Sequence, residues 1–84
     1  MSRRWRLTGD DALVGADLPS ETIETILNWV VTVLCVDPYA QGVTVPNQRH
    51  PLMRIAEVPG ADVAIVFLIA DAFTVIELKK VIPF

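Results

Sequence analysis

Residues 54–82 constrain this chain more than any other stretch. RIAEVPGADVAIVFLIADAFTVIELKKVI is a succession of apolar, β-branched and aromatic runs cut by turn dipeptides. Residues 54–58 read as a strand that ends at Pro59-Gly60, a pair that punctuates chains as a turn. Residues 62–69 form a second run, Ala70-Asp71 a short break, and residues 73–78 a third run. β-branched and aromatic side chains at this density suit a pleated surface. Three strands of this kind need something packed on one face before they are stable.

The partner for that face is upstream. Residues 20–36 read as a helix, opened by Leu18-Pro19-Ser20-Glu21 and closed by Asp37-Pro38. Proline near a first turn followed by a hydroxyl and an acid is a start signal. A proline disfavours helical geometry in the residue before it. Ile23, Ile26, Leu27, Val30 and Leu34 form one stripe, widened by Trp29, Val33 and Val36. Thr22, Glu24, Thr25, Asn28 and Thr32 take the wet side. Before it, residues 10–16 suit a brief helix with acids at its start. Residues 3–8 alternate Trp5 and Leu7 with Arg4 and Arg6, as a half-buried strand does. The segment 39–51 is an irregular connection, with Val43-Thr44-Val45 extended. The expected fold is therefore α+β in the order β-α-α-β-β-β, with two helices on one face of a small antiparallel sheet of three to four strands. At 84 residues, 1–84 is one domain with one core.

Several function classes fall away on composition. The net charge is −3, which argues against a surface that grips nucleic acid throughout. Acid and base are segregated. Residues 9–37 hold Asp10, Asp11, Asp17, Glu21, Glu24 and Asp37 with no Lys or Arg, while the bases sit at strand ends. The single cysteine, Cys35, allows no disulfide within the chain and reads as a core residue. No ligand spacing for a metal and no glycine motif for a cofactor is present, so neither is expected. Met1-Ser2-Arg3-Arg4 is not followed by an apolar signal region. The uncharged apolar run between Glu24 and Asp37 is too short to span a bilayer. A soluble cytoplasmic protein with no membrane association is the expectation.

The order of these elements resembles the RelE/ParE superfamily of toxins from bacterial type II toxin–antitoxin pairs. Trp5-Arg6-Leu7-Thr8 resembles the first strand, and Leu18-Pro19 the hinge into the second helix. Leu34, Asp37-Pro38-Tyr39 and Gly42 resemble the junction L-x-x-[DN]-P-x-x-x-G. Arg54 followed by Val58 resembles the arginine-bearing strand, and residues 63–67 and 73–78 the last two strands. The resemblance implies a cognate antitoxin as partner, and a target such as ribosome-bound messenger or DNA gyrase.

Where activity is decided, the chain departs from the messenger-cleaving branch. It is acidic overall, its C-terminal end has neither Tyr nor His, and Phe67 stands where many relatives place a tyrosine. Cleaving a phosphodiester needs positioned cations and a proton shuttle. Arg54, Arg49 and His50 are the candidate catalytic set, with Lys79 and Lys80 as phosphate or RNA contacts. His50 is the one side chain among them that titrates near neutral pH. The expectation is a toxin-like protein that acts by binding other proteins, with weak or absent ribonuclease activity. A ribosome-dependent messenger endonuclease and a non-toxic dimeric interaction module stay open beside it. Two helices cover only one face of a sheet, so the second face should expose apolar residues to a partner or a second copy. Val66, Leu68, Phe73 and Ile76 are the expected interface, in an antitoxin complex or a homodimer.

Overall fold

The computed structural model describes residues 5–45 and 53–84. Strand β1 (Arg6–Thr8) leads into helix α1 (Asp11–Gly15) and then α2 (Ser20–Trp29), which runs on as a π-helical turn (Val30–Leu34). A 3-10 turn (Pro38–Ala40) precedes β2 (Val43–Thr44), followed by β3 (Met53–Val58) and β4 (Val63–Ala70). A second 3-10 turn (Asp71–Phe73) joins β4 to β5 (Val75–Pro83). The strands form one five-stranded sheet in the order β1-β5-β4-β3-β2.

The α+β class and the helices on one face agree with the sequence reading. The strand count and the strand directions correct it. The sheet is mixed rather than antiparallel, because β1 runs parallel to β5 and places Leu7 beside Ile76. The extended pair at Val43-Thr44 is a true edge strand, paired antiparallel with β3. At two residues it is short, as edge strands are when they must not recruit other chains.

Alternation along the strands sorts the side chains. Val63, Ile65, Phe67 and Ile69 of β4 are buried beneath the helices, in register with Val58 and Ala56 of β3 and with Val81, Leu78 and Ile76 of β5. A register shift between Val66 and Phe67 makes Lys79 an extra residue in β5. That bulge flips the parity of the strand, so Leu78 and Val81 both face inward. The third run was expected at 73–78. It begins two residues later because Asp71–Phe73 curl into the turn, closed by the Thr74 N–H donating to the Asp71 carbonyl at 3.2 Å.

From α2, Ile26, Val30 and Leu34 enter this core and are fully buried. They lie within the expected stripe. Val36, expected to widen it, is exposed because the helix has ended at Leu34. The wide last turn is closed by the Cys35 N–H donating to the Val30 carbonyl at 2.8 Å. Cys35 is itself buried, as the sequence suggested. Trp5 ties β1 to this helix end: its backbone N–H donates to the Cys35 carbonyl at 3.1 Å, and its ring meets Tyr39 edge-on at 6.0 Å.

The two sides of α2 give a direct test of this packing. Leu34→Ala leaves a cavity against the sheet and should lower unfolding free energy by about 3 kcal/mol. Thr25 lies off this stripe and is only half-buried, and its hydroxyl donates to the Glu21 carbonyl one turn back, a bond the helix does not need. Thr25→Ala should therefore stay within about 0.5 kcal/mol. Urea titration of both variants decides: equal losses would mean that the inward face of α2 is wrongly assigned.

Candidate functional site: the open face of the sheet

The sheet face away from the helices is built in cross-strand rows fixed by register. One row holds Lys80 of β5, Val66 of β4, Ile55 of β3 and Val43 of β2. The neighbouring row holds Glu77, Leu68, Met53 and, by the Val45 N–H donating to the Met53 carbonyl at 3.1 Å, Val45. Arg6 and Thr8 of β1 lie beside Val75 and Glu77 at the far edge. The apolar members run from the centre of the sheet to the β2 edge. Val66, Leu68, Met53 and Ile55 are half-buried, and Val43 is 63% exposed. Among the described residues, charge on this face is confined to β5, to Arg6 and to Glu57 of β3.

Of the interface residues expected from sequence, Val66 and Leu68 sit together at the centre of this face. Ile76 does not. It is fully buried on the opposite face, paired with Ile69 beneath the helices. Phe73 does not join them either. It lies in the turn before β5 and is 74% exposed. Sequence reasoning missed Ile55, Met53 and Val43 as members of the patch. The signal that finds them is register: once β3 is paired as a hairpin with β4, Ile55 must stand beside Val66.

The candidate cations among the described residues are dispersed. Arg54 is opposite Phe67, and so on the helix side of the sheet. Its Nε donates to the Gln41 carbonyl at 3.0 Å, and its Nη2 to the Gly42 carbonyl at 2.8 Å. The guanidinium thereby fastens the connection after α2 onto β3. Lys79, the bulge residue, makes an ion pair with Glu77 at 3.0 Å. Lys80 is exposed on the open face. Arg49 and His50 lie outside the described residues. Among the described residues, no group of three or more His, Cys, Asp or Glu could hold a metal ion, and no helix is long and apolar enough to cross a membrane.

Solved structures of toxins share this architecture. A chain of the RelBE2 toxin–antitoxin complex of Mycobacterium tuberculosis matches with a TM-score of 0.76 at 13% identity, over 100% of this chain and 98% of that one. The fold is that of the RelE toxins. The Escherichia coli toxin RelE, in a double arginine-to-alanine mutant solved in the free state, matches with a TM-score of 0.73 at 16% identity, over 96% of this chain and 84% of that one. No protein-family model matches the sequence, and no curated protein does. On this RelE fold, the open face carries a strip of apolar side chains bordered by both signs of charge.

Proposed function

We propose that this chain is the toxin-like member of a toxin–antitoxin pair that acts in the cytoplasm by binding other proteins, with weak or absent ribonuclease activity. One observation carries the reading. Arg54, the arginine that the family resemblance marks for phosphate, stands on the helix side and donates to two backbone carbonyls. A phosphate approaching the open face would meet Lys80 and Arg6, but also the carboxylates of Glu77 and Glu57. Stabilising a pentavalent phosphorus needs cations converging on its oxygens without carboxylates between them. The shared fold with a chain taken from a toxin–antitoxin complex supports a small antitoxin as the partner.

Inducible expression in a bacterial host, with growth curves and mapping of transcript ends, tests this. Expression of the chain alone should slow growth with transcripts intact, and co-expression of an antitoxin encoded by a short neighbouring reading frame should relieve it. A messenger endonuclease remains the competing reading, favoured by the exposed lysine pair Lys79 and Lys80. Rapid transcript cleavage by the wild type, lost in a folded Arg54→Ala variant, would overturn the proposal and establish the enzyme, with Arg54 as the residue that carries it. Cleavage lost in Lys79→Ala or Lys80→Ala would equally overturn it and assign those lysines to the substrate.

A further inference from the structure

The open face is complementary to itself. We propose that it docks onto the same face of a second copy of this chain, about a twofold axis that crosses the strands between the Val66 row and the Leu68 row. Rotation about that axis exchanges the two rows strand by strand. Val66 then lies over Leu68 of the second copy, and Ile55 over its Met53. At the β2 edge Val43 lies over Val45, and on β5 Lys80 lies over Glu77. Within these two rows every apolar position meets an apolar one, and the charged pair meets its opposite; Arg6 and Glu57 lie in the flanking rows.

The other in-plane twofold, along β4, lacks this property. It would set Lys80 over Ile55 and Glu77 over Met53, so that each charge is desolvated against an apolar side chain. Burying a charge without a partner is strongly unfavourable, whereas a matched pair at an interface fixes register. An isologous contact needs one patch to complement itself, and only the cross-strand axis achieves that here. The sheets then stack with their strands nearly aligned, about 10 Å apart, as two-sheet sandwiches do. Glu77 already accepts from Lys79 within the chain, so the second copy's Lys80 completes a cluster in which one carboxylate sits between two ammonium groups. The dimer does not rest on the toxin reading: it stands or falls on the mass of the purified chain, whatever expression does to growth.

The experiment is sedimentation equilibrium and light scattering on the full chain across tens of micromolar, with charge reversal. The wild type should show the mass of two chains. Lys80→Glu and Glu77→Lys should each weaken association by about tenfold or more, since each sets like charges face to face. The double variant Lys80→Glu with Glu77→Lys should associate more tightly than either single variant, because the twofold pairs each reversed charge with its reversed partner, while staying weaker than the wild type because position 77 then repels Lys79. Thermal melts confirm that all variants fold. Leu68→Asp, at the centre of the face, should give the mass of one chain. A wild type of one-chain mass throughout would overturn the proposal, as would a double variant no tighter than the single ones. Undiminished association in a folded Leu68→Asp variant would do the same.

Discussion

Phe67→Ala is expected to remove about 3–5 kcal/mol of stability, enough to leave the chain largely unfolded in mild urea. Phe67 is the largest of the fully buried side chains. It sits mid-strand on β4 between Arg54 of β3 and Leu78 of β5, and belongs to the core cluster that takes in Ile26, Val30 and Leu34 from the helix. Its neighbours are held by two strand ladders and cannot collapse into the space, so the cavity term adds to the lost transfer energy. Phe73→Ala is the matched comparison. That ring is 74% exposed, and its removal should stay within about 0.5 kcal/mol. Urea unfolding followed by circular dichroism reads both. A loss below about 1 kcal/mol at Phe67 would show that the described core is wrong.

Those two phenylalanines show what the sequence could and could not reveal. The alternation of β4 was legible: the odd positions face the helices and are buried, and the even positions from Val66 onward are only half-buried, while Ala64 is buried on the other face. The run 73–78 offered the same alternation, but where it joined β4 was not legible. Thr74 adopts left-handed geometry with φ of 53°, a backbone choice that a β-branched residue gives no local hint of. The bulge at Lys79 was equally hidden, since adjacent lysines read as an ordinary solvated end. Without the bulge, Glu77 and Lys80 fall on opposite faces and the open face loses its charged pair. The parallel seat of β1 beside β5 is a tertiary choice, and three residues carry too little pattern to announce it.

The site was less legible than the fold, for a related reason. Arg54 drew attention as a cation in a strand, yet its side was decidable from its neighbours. Ala56 and Val58 share its parity, whereas Glu57 takes the other, so the core side of β3 includes residue 54. An arginine on a core side must find acceptors, and the carbonyls at the end of the α2 connection supply them. Where Arg54 points follows from strand parity, and what it bonds follows from tertiary packing.

The tightest consequence of that packing lies at Gly42. Gly42 has φ of 69°, and a Cβ there would overlap the Ile55 carbonyl oxygen and stand 2.9 Å from the Ala56 Cβ. Gly42→Ala therefore combines left-handed geometry for an L side chain, about 1–2 kcal/mol, with overpacking against backbone, about 1–3 kcal/mol. A total of about 3 kcal/mol or more is expected. Gly15→Ala is the comparison: nothing lies within 4 Å of its Cβ, and a helical position should gain up to about 1 kcal/mol. The Gly42 carbonyl is also held by Arg54, so moving the loop to admit a methyl group stretches that hydrogen bond. Arg54→Ala alone should cost about 2 kcal/mol, the range for a charged donor lost from carbonyl acceptors. In the Gly42→Ala background it should cost less by at least about 0.5 kcal/mol, because the clamp is already strained. A double-mutant cycle by urea titration measures the coupling. Additivity would mean that Arg54 holds the Gln41 carbonyl alone and leaves Gly42 to its own geometry. A coupling of the expected sign would make Arg54 the fastening of the β2 edge, which sets the position of Val43 and Val45 on the open face.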